Sequence, residues 1–128
     1  MGMGMARYEF TVSAAPRYLP QHSEPEADRY VFAYTIRIVN TGDVAAKLLT
    51  RHWIITDALQ HVEEVHGDGV VGEQPHLPPG ASYEYTSGCP LPTPVGTMRG
   101  VYHCIADDGT RFEAQIPEFV LSTPRALH

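Results

Sequence analysis

The chain has 128 residues, 43% of them hydrophobic and 19% charged, proportions typical of one folded globular domain and not of a disordered chain. Fifteen acidic residues against nine basic ones give a formal net charge of -6, and the basic residues are scattered singly. This balance argues against a nucleic-acid-binding or anionic-membrane surface, because either would need a basic patch.

The first ten residues lack the positive and apolar regions of a secretory signal, and no apolar run is long enough to cross a bilayer. We therefore expect a cytoplasmic protein in which Cys89 and Cys104 are reduced thiols. Residues 1–6 are expected to form a flexible N-terminus, and residues 7–128 a single domain.

Alternation of apolar and polar residues, the pattern of a half-buried strand, dominates the chain. It is clearest at 29–40, where the large residues Tyr30, Phe32, Tyr34, Ile36 and Ile38 share one face. A second long strand is predicted at 44–58, with apolar residues on both faces, as in a strand that is covered on both sides or bent across two sheets. Shorter strands are predicted at 8–12, 61–66, 82–87, 98–106 and 111–116.

Turn-forming residues separate these strands. The sequences "NTGD" (40–43) and "DDGT" (107–110) predict tight turns, the second within a hairpin. Eleven prolines and eleven glycines leave no window for a long amphipathic helix. Seven or so short strands over this length predict an all-β fold, a β-sandwich of the fibronectin type III or immunoglobulin kind with antiparallel strands.

The sequence "HGDGVVG" (66–72) spaces Gly67, Gly69 and Gly72 as in a dinucleotide-binding loop. Such a loop joins a buried strand to a helix, whereas here an alternating segment precedes the glycines and three prolines follow within eight residues. We therefore expect a sharp loop between two strands, with Val70 and Val71 packed inward. The alternative is that the three glycines bind a phosphate-bearing compound or a divalent cation through a nest of backbone amides.

Seven histidines raise the question of a metal site. On the predicted strand 61–66, His61 and Glu63 share one face, and Glu64 and His66 share the other. Two pairs on opposite faces do not converge on one ion, and no third ligand is fixed by the sequence. The sequence therefore predicts no metal site and no cofactor.

No arrangement of nucleophile and base indicates catalysis. Ser87 and Cys89 lie in "SGCPLP" (87–92), which lacks the Gly-x-Ser-x-Gly turn of a nucleophile elbow. His103 and Cys104 are neighbours on a predicted strand, so they point to opposite faces. We expect no enzymatic activity and no catalytic residue; phosphoanhydride chemistry has only the three glycines in its favour.

The segment "RHWIITDA" (51–58) holds the only tryptophan. Trp53 is expected to fill the core between the sheets. Arg51 and His52 precede it on the same strand, so part of that strand is polar and open to a partner. We predict Arg51 and His52 as partner-binding residues.

Several further motifs lie in order from about Tyr8 to His128. They are "YLPQHSEP", "RYVFAYTIRIVN", "RHWIITDA", "EVHGDGVVGEQPHLPPG", "YEYTSGCPLPTPVGTMRGVY", "IPEFVLSTP" and the terminal "LH". Together they resemble the motifs of the ApaG family, also called CorD. The resemblance implies a fibronectin type III-like sandwich, an association with cobalt resistance and magnesium efflux, and no established enzymatic activity. The family's suggested link to pyrophosphate binding carries over only to Gly67, Gly69 and Gly72.

The resemblance also implies protein–protein binding, because related domains occur in a eukaryotic F-box protein and in a polymerase-delta-interacting protein. We therefore expect an unidentified protein partner, no nucleic acid and no membrane; the oligomeric state stays open. This sequence departs from the family pattern at His22, where Gln is expected, and within 57–61, which lacks the expected Gly. The pattern does not call for histidine at His66 or His76.

Overall fold

The structure is a computed structural model that describes residues 5–125. Residues 1–4, most of the predicted flexible N-terminus, and residues 126–128 lie outside the described residues. Residues 5–125 contain eight strands, with two short 3₁₀ turns at Pro20–His22 and Pro25–Ala27. The strands are β1 (Phe10–Tyr18), β2 (Tyr30–Asn40), β3 (Ala46–Asp57), β4 (Val62–Asp68), β5 (His76–Leu77), β6 (Ser82–Leu91), β7 (Val95–Ala106) and β8 (Arg111–Ser122).

The strands form two antiparallel sheets packed as a sandwich. The first sheet has the order β1-β2-β6, and the second the order β4-β3-β7-β8, with the short β5 paired to the start of β3. The predicted all-β sandwich with antiparallel strands is thus confirmed. In each sheet we call the face toward the other sheet inner and the opposite face outer.

The alternation in β2 matches its burial. Phe32, Ile36 and Ile38 are fully buried on the inner face, while Arg37 between them is exposed. The prediction for β2 is confirmed because apolar residues two apart must share the face that meets the other sheet.

Strand β3 differs from expectation. Its inner residue Trp53 is buried, but Ile54 on the outer face is only half-buried. The strand lies wholly within one sheet, between β4 and β7. It is therefore neither covered on both sides nor bent across two sheets, because no second layer covers the outer face of that sheet among the described residues.

Among the strands that are longer than predicted, three continue through a proline. The predictions ended at residues 12, 87 and 116, whereas β1 contains Pro16, β6 contains Pro90 and β8 contains Pro117. All three are edge strands. A proline is tolerated there because the missing N–H can face the unpaired side of the strand.

The first predicted turn, at 40–43, is a bend and not a tight turn, whereas the second, at 107–110, forms as a tight turn. In the first, the buried Asn40 donates side-chain hydrogen bonds to the carbonyls of Val44 and Leu77 and accepts one from the amide of Gly42. In the second, Gly109 takes a φ of 89° in the hairpin between β7 and β8. The bend carries the chain from one sheet to the other, and the tight turn stays within one sheet.

Candidate functional site

One side of the sandwich is open, and a cleft of ≈ 620 Å³ lies there between the inner faces of the two sheets. Its walls are β4, an edge of the second sheet, and the end of β6, an edge of the first. We call it the open-edge cleft. The volume falls in the range of about 300–1,000 Å³ that is usual for ligand sites.

Apolar side chains form the floor of the cleft: Tyr34, Trp53, Val65, Leu91 and Met98. The Trp53 ring meets the Tyr34 ring at a centroid distance of 5.3 Å and an interplanar angle of 63°. Trp53 is 3% exposed, so its predicted core position is confirmed. The sequence did not indicate that the same ring would also line a cleft.

Polar groups line the rim, among them Arg51, Asp57, His61 and Glu63. Asp57 accepts hydrogen bonds from the amides of Leu59 and His61, at 2.8 and 3.0 Å, through one carboxylate oxygen. Its other oxygen lies 3.3 Å from Nδ1 of His61. Burial opposes the charged form, but these donors outweigh it and lower the pKa of Asp57.

The turn closed by Asp57 is the one that lacks the glycine of the family pattern. Gln60 occupies it with a φ of 68°, in the left-handed region. The turn keeps its shape because the hydrogen bonds to Asp57 hold Gln60 in a conformation that costs a non-glycine residue about 1–2 kcal/mol.

Arg51 links the cleft to the glycine loop. Its Nη1 donates hydrogen bonds to the carbonyls of Asp68 and Gly69, at 2.8 and 2.9 Å. The guanidinium lies across Gly67, where an added Cβ would stand 2.6 Å from Cζ. Gly67 therefore makes room for Arg51, its partner in the β3–β4 pairing.

The other two glycines shape a tight reversal after β4. Val70 and Glu73 exchange both backbone hydrogen bonds, at 2.8 and 2.9 Å, around Val71 and Gly72. Those two residues have φ values of 42° and 81°, the positive values that a type I′ turn requires. Gly69 also has a positive φ, and a Cβ there would lie 2.2 Å from the Glu73 carbonyl oxygen.

The expected sharp loop without a following helix is confirmed. The expected inward packing holds for only one of its two valines. Val70 is 1% exposed, as predicted, whereas Val71 is 55% exposed. The prediction for Val71 is wrong because a residue at the tip of a two-residue turn points away from the sandwich.

Two backbone amides of the glycine loop already donate hydrogen bonds to carbonyls of the same chain. The amide of Gly69 donates to the carbonyl of Leu49 at 2.8 Å, and that of Val70 donates to Glu73. These bonds account for the backbone shape without a ligand. Binding of a phosphate compound or a divalent cation at Gly67, Gly69 and Gly72 stays a prediction.

The two predicted His–Glu pairs, His61 with Glu63 and Glu64 with His66, lie on opposite faces of the sheet. Glu63 lines the cleft, and His61, just before β4, stands at its rim. Glu64 and His66 lie on the outer face, where His52 of β3 joins them, so one ligand atom from each of the three lies within 4.8 Å of the others. The sequence did not indicate this triad, because His52 and His66 meet only through the strand register that pairs them.

Arg51 and His52, the predicted partner-binding residues, are placed on opposite faces of β3. Arg51 faces the cleft, while His52 stands on the outer face, hydrogen-bonded through Nε2 to Glu64 at 2.7 Å. They therefore do not form one contact surface. Their binding role stays a prediction.

Of the side chains considered for catalysis, Ser87, Cys89 and His61 line the open-edge cleft, whereas Cys104 does not. Cys89 and Cys104 are free and buried, and burial raises the pKa of the first thiol to about 11 and of the second to about 12. Both therefore stay protonated near neutral pH. His103 is exposed on the face opposite Cys104, as the alternation predicts.

Within residues 5–125, no helix is long and apolar enough to cross a membrane.

Comparison with known proteins identifies relatives over nearly the whole chain. The family model described as the ApaG domain matches residues 20–106. The curated relative Protein ApaG of Ralstonia nicotianae is 64% identical over 124 residues, which cover 97% of this chain and 100% of the relative. Protein ApaG of Bordetella pertussis is 60% identical over 121 residues, covering 94% of this chain and 92% of the relative.

A solved structure agrees with these matches. The crystal structure of a Bordetella pertussis protein described as ApaA superposes with a TM-score of 0.91 at 57% identity, covering 96% of this chain and 100% of that one. A family model that matches most of the sequence, and relatives of high identity along its length, establish that this chain belongs to the ApaG family.

Proposed function

We propose that this chain is a non-catalytic binding module that holds an extended segment of a partner protein in the open-edge cleft, paired as an added strand to β4. The observation that carries the proposal is the position of a free sheet edge beside an apolar floor. Main-chain hydrogen bonds to such an edge supply affinity, and pockets for alternate side chains supply specificity.

Strand β4 suits this role better than the opposite wall. It has seven residues, contains no proline and pairs only with β3 among the described strands. Across the cleft, Pro90 interrupts the row of donors on β6. An incoming segment therefore finds a regular row of unpaired backbone groups on β4 alone.

Charge on and around β4 selects the kind of segment. Glu63, Glu64 and Asp68 are exposed along the strand. The one arginine in the cleft, Arg51, is already hydrogen-bonded to two carbonyls. With a net charge of -6 for the chain, the surface favours a segment in which apolar residues alternate with lysine or arginine.

Exposed apolar residues extend the surface at the start of β4. Leu59 is 68% exposed and Val62 is 61% exposed, and Val62 borders the cleft. Large apolar side chains left in water beside a cleft are typical of a protein-contact site.

The non-catalytic part of the proposal is supported by the buried thiols of Cys89 and Cys104, which stay protonated near neutral pH. The cellular setting we infer is cytoplasmic. There, binding of a partner protein would underlie the association with cobalt resistance and magnesium efflux that the family resemblance implies.

The experiment uses the intrinsic fluorescence of Trp53, the only tryptophan of the chain. The probe is a peptide of about nine residues in which valine alternates with lysine, long enough to span β4. We expect a saturable fluorescence change. The same peptide with alternate backbone amides N-methylated, or with glutamate in place of lysine, should bind at least about fivefold more weakly.

Two charge reversals locate the binding. Glu63→Lys, on the cleft wall, should weaken peptide binding at least about fivefold. The matched control Glu113→Lys, on β8 at the far edge of the same sheet, should bind like the parent. Equal binding of the lysine and glutamate peptides, or equal loss in both variants, would overturn the proposal.

A further inference from the structure

We propose that His52, Glu64 and His66 form a binding site for a divalent transition-metal ion on the outer face of the second sheet. We call these residues the outer-face triad. They lie on the opposite face from the open-edge cleft, so the inference does not depend on the proposed function.

The geometry of the triad brings three ligand atoms together. His52 and His66 are directly paired across β3 and β4, with ring centroids 4.0 Å apart and an interplanar angle of 20°. Nε2 of His52 lies 2.7 Å from Oε1 of Glu64. One ligand atom from each residue lies within 4.8 Å of the other two.

Rotation of the side chains would close this group on an ion. Bonds of about 2.0–2.2 Å from nitrogen or oxygen to a first-row metal bring the ligand atoms to within about 4 Å of one another. Glu64 and His66 are exposed and can rotate, and the His66 ring would leave its stack on His52. His52, with a side chain 24% exposed, is the more fixed member.

The backbone holds the two imidazoles at this separation. Directly opposed residues on antiparallel strands have Cβ atoms about 4.5–5.5 Å apart. The pairing of β3 with β4 runs from Thr50–Asp68 to Thr56–Val62, so His52 and His66 lie within a continuous ladder. The backbone positions of these two ligands are therefore fixed relative to each other before any ion arrives.

The ligand types select the ion. Two imidazoles and one carboxylate suit zinc, nickel or copper, whereas magnesium prefers oxygen ligands alone. Exposure of the triad leaves further coordination positions for water. A shallow depression of ≈ 390 Å³ beside His66 also contains Asp68 and His103, so other polar groups lie close by.

Two other histidines of the chain allow a comparison. His76 pairs with Asp107 at 2.9 Å, and His103 with Glu113 at 3.5 Å. Each is a single histidine with one carboxylate, and the triad is the one group of three or more metal-ligand side chains found within residues 5–125. Two-ligand pairs should bind far more weakly than three ligands.

The test is titration of the metal-free protein with zinc chloride. Binding is measured by calorimetry and, on isotopically labelled protein, by changes in amide NMR shifts. We expect one zinc ion per chain, shifts centred on His52, Glu64 and His66, and no comparable effect of magnesium chloride. His66→Gln and Glu64→Gln should weaken zinc binding at least about tenfold. His76 lies outside the depression beside His66, so His76→Gln should bind like the parent.

Folding of the variants is checked without metal, where the exposed His66 and Glu64 should be replaceable with little change in thermal stability. Equal zinc affinity in the parent and in His66→Gln would contradict the site. Amide shifts centred on His76 and Asp107, or on His103 and Glu113, would also contradict a metal site at the triad. Restoration of the metal-free spectrum by a chelator would show that the protein stays folded throughout.

Discussion

The guanidinium of Arg51 lies flat against Gly67, so close that a Cβ on residue 67 would stand 2.6 Å from its Cζ, 2.6 Å from Nη2 and 2.7 Å from Nη1. From this position Arg51 donates to the carbonyls of Asp68 and Gly69. The first glycine of the Gly-x-Gly-x-x-Gly spacing thus serves a side chain of the neighbouring strand. The spacing has a structural cause in this chain.

We predict that Gly67→Ala lowers the free energy of unfolding by about 1–2 kcal/mol, because the methyl group displaces the Arg51 head and its hydrogen bonds. In a background that already carries Arg51→Ala, the same change should cost much less, since the displaced group is absent. A double-mutant cycle by chemical denaturation measures the coupling. Additive losses would contradict the described contact.

A second prediction concerns the turn at 57–61. Gln60→Gly should raise the free energy of unfolding by about 0.5–1 kcal/mol, because glycine adopts the φ of 68° without strain although it gains freedom when unfolded. Gln60→Ala, which keeps the strain, should leave stability nearly unchanged. Thermal unfolding compares the parent, Gln60→Gly and Gln60→Ala. A loss of stability in Gln60→Gly would contradict the prediction and show that the Gln60 side chain itself stabilises the fold.

A third prediction concerns the hydroxyls of Tyr85 and Tyr102, which are 2.5 Å apart and join the two sheets through the core. Tyr102→Phe should cost about 1–2 kcal/mol, because it leaves the buried Tyr85 hydroxyl without its partner. The double variant Tyr85→Phe/Tyr102→Phe should lose less than the sum of the two single losses. Chemical denaturation of the parent, the two single variants and the double variant measures these losses. A loss in the double variant equal to the sum of the single losses would rule out a coupled pair.

A fourth prediction is a pH dependence from Asp57. Its pKa is lowered in the folded protein, so its stabilising contribution is full above the ordinary aspartate value of about 4 and is lost as the pH falls through the folded pKa. The stability gap between the parent and Asp57→Asn should therefore be full above the ordinary aspartate pKa of about 4 and narrow progressively as the pH falls below it.

The control for this titration is Asp28→Asn, because the Asp28 carboxylate accepts no hydrogen bond from the described residues and Asn tolerates its φ of 53°. Asp28→Asn should have nearly the stability of the parent at neutral pH, where the Asp57→Asn gap is open. A gap for Asp57→Asn that widens as the pH falls would have the wrong sign for this account.

Much of the fold could be predicted from alternation and turns, because both are local. The buried face of β2 and the turn at 107–110 follow directly from residue order. Strand ends were harder to predict, since β1, β6 and β8 continue through Pro16, Pro90 and Pro117, beyond the predicted ends at residues 12, 87 and 116. Whether a proline ends a strand depends on whether that strand is an edge, which only the sheet order decides.

The site was less predictable, because it depends on contacts between strands. The triad needs His52 opposite His66, a register that no local pattern specifies. The cleft exists because β4 and β6 are the free edges at one side of the sandwich, and this too is a property of topology. The position of Val71 was wrong for a related reason, because alternation does not continue through a two-residue turn.

The most direct test of strand addition is amide hydrogen exchange of β4, with and without a saturating peptide of alternating valine and lysine. We expect alternate amides of Val62–Asp68, those directed away from β3, to become protected while amides of β8 keep their exchange rates. Peptide binding that leaves the β4 amides unprotected, or that protects β8 instead, would contradict strand addition at β4.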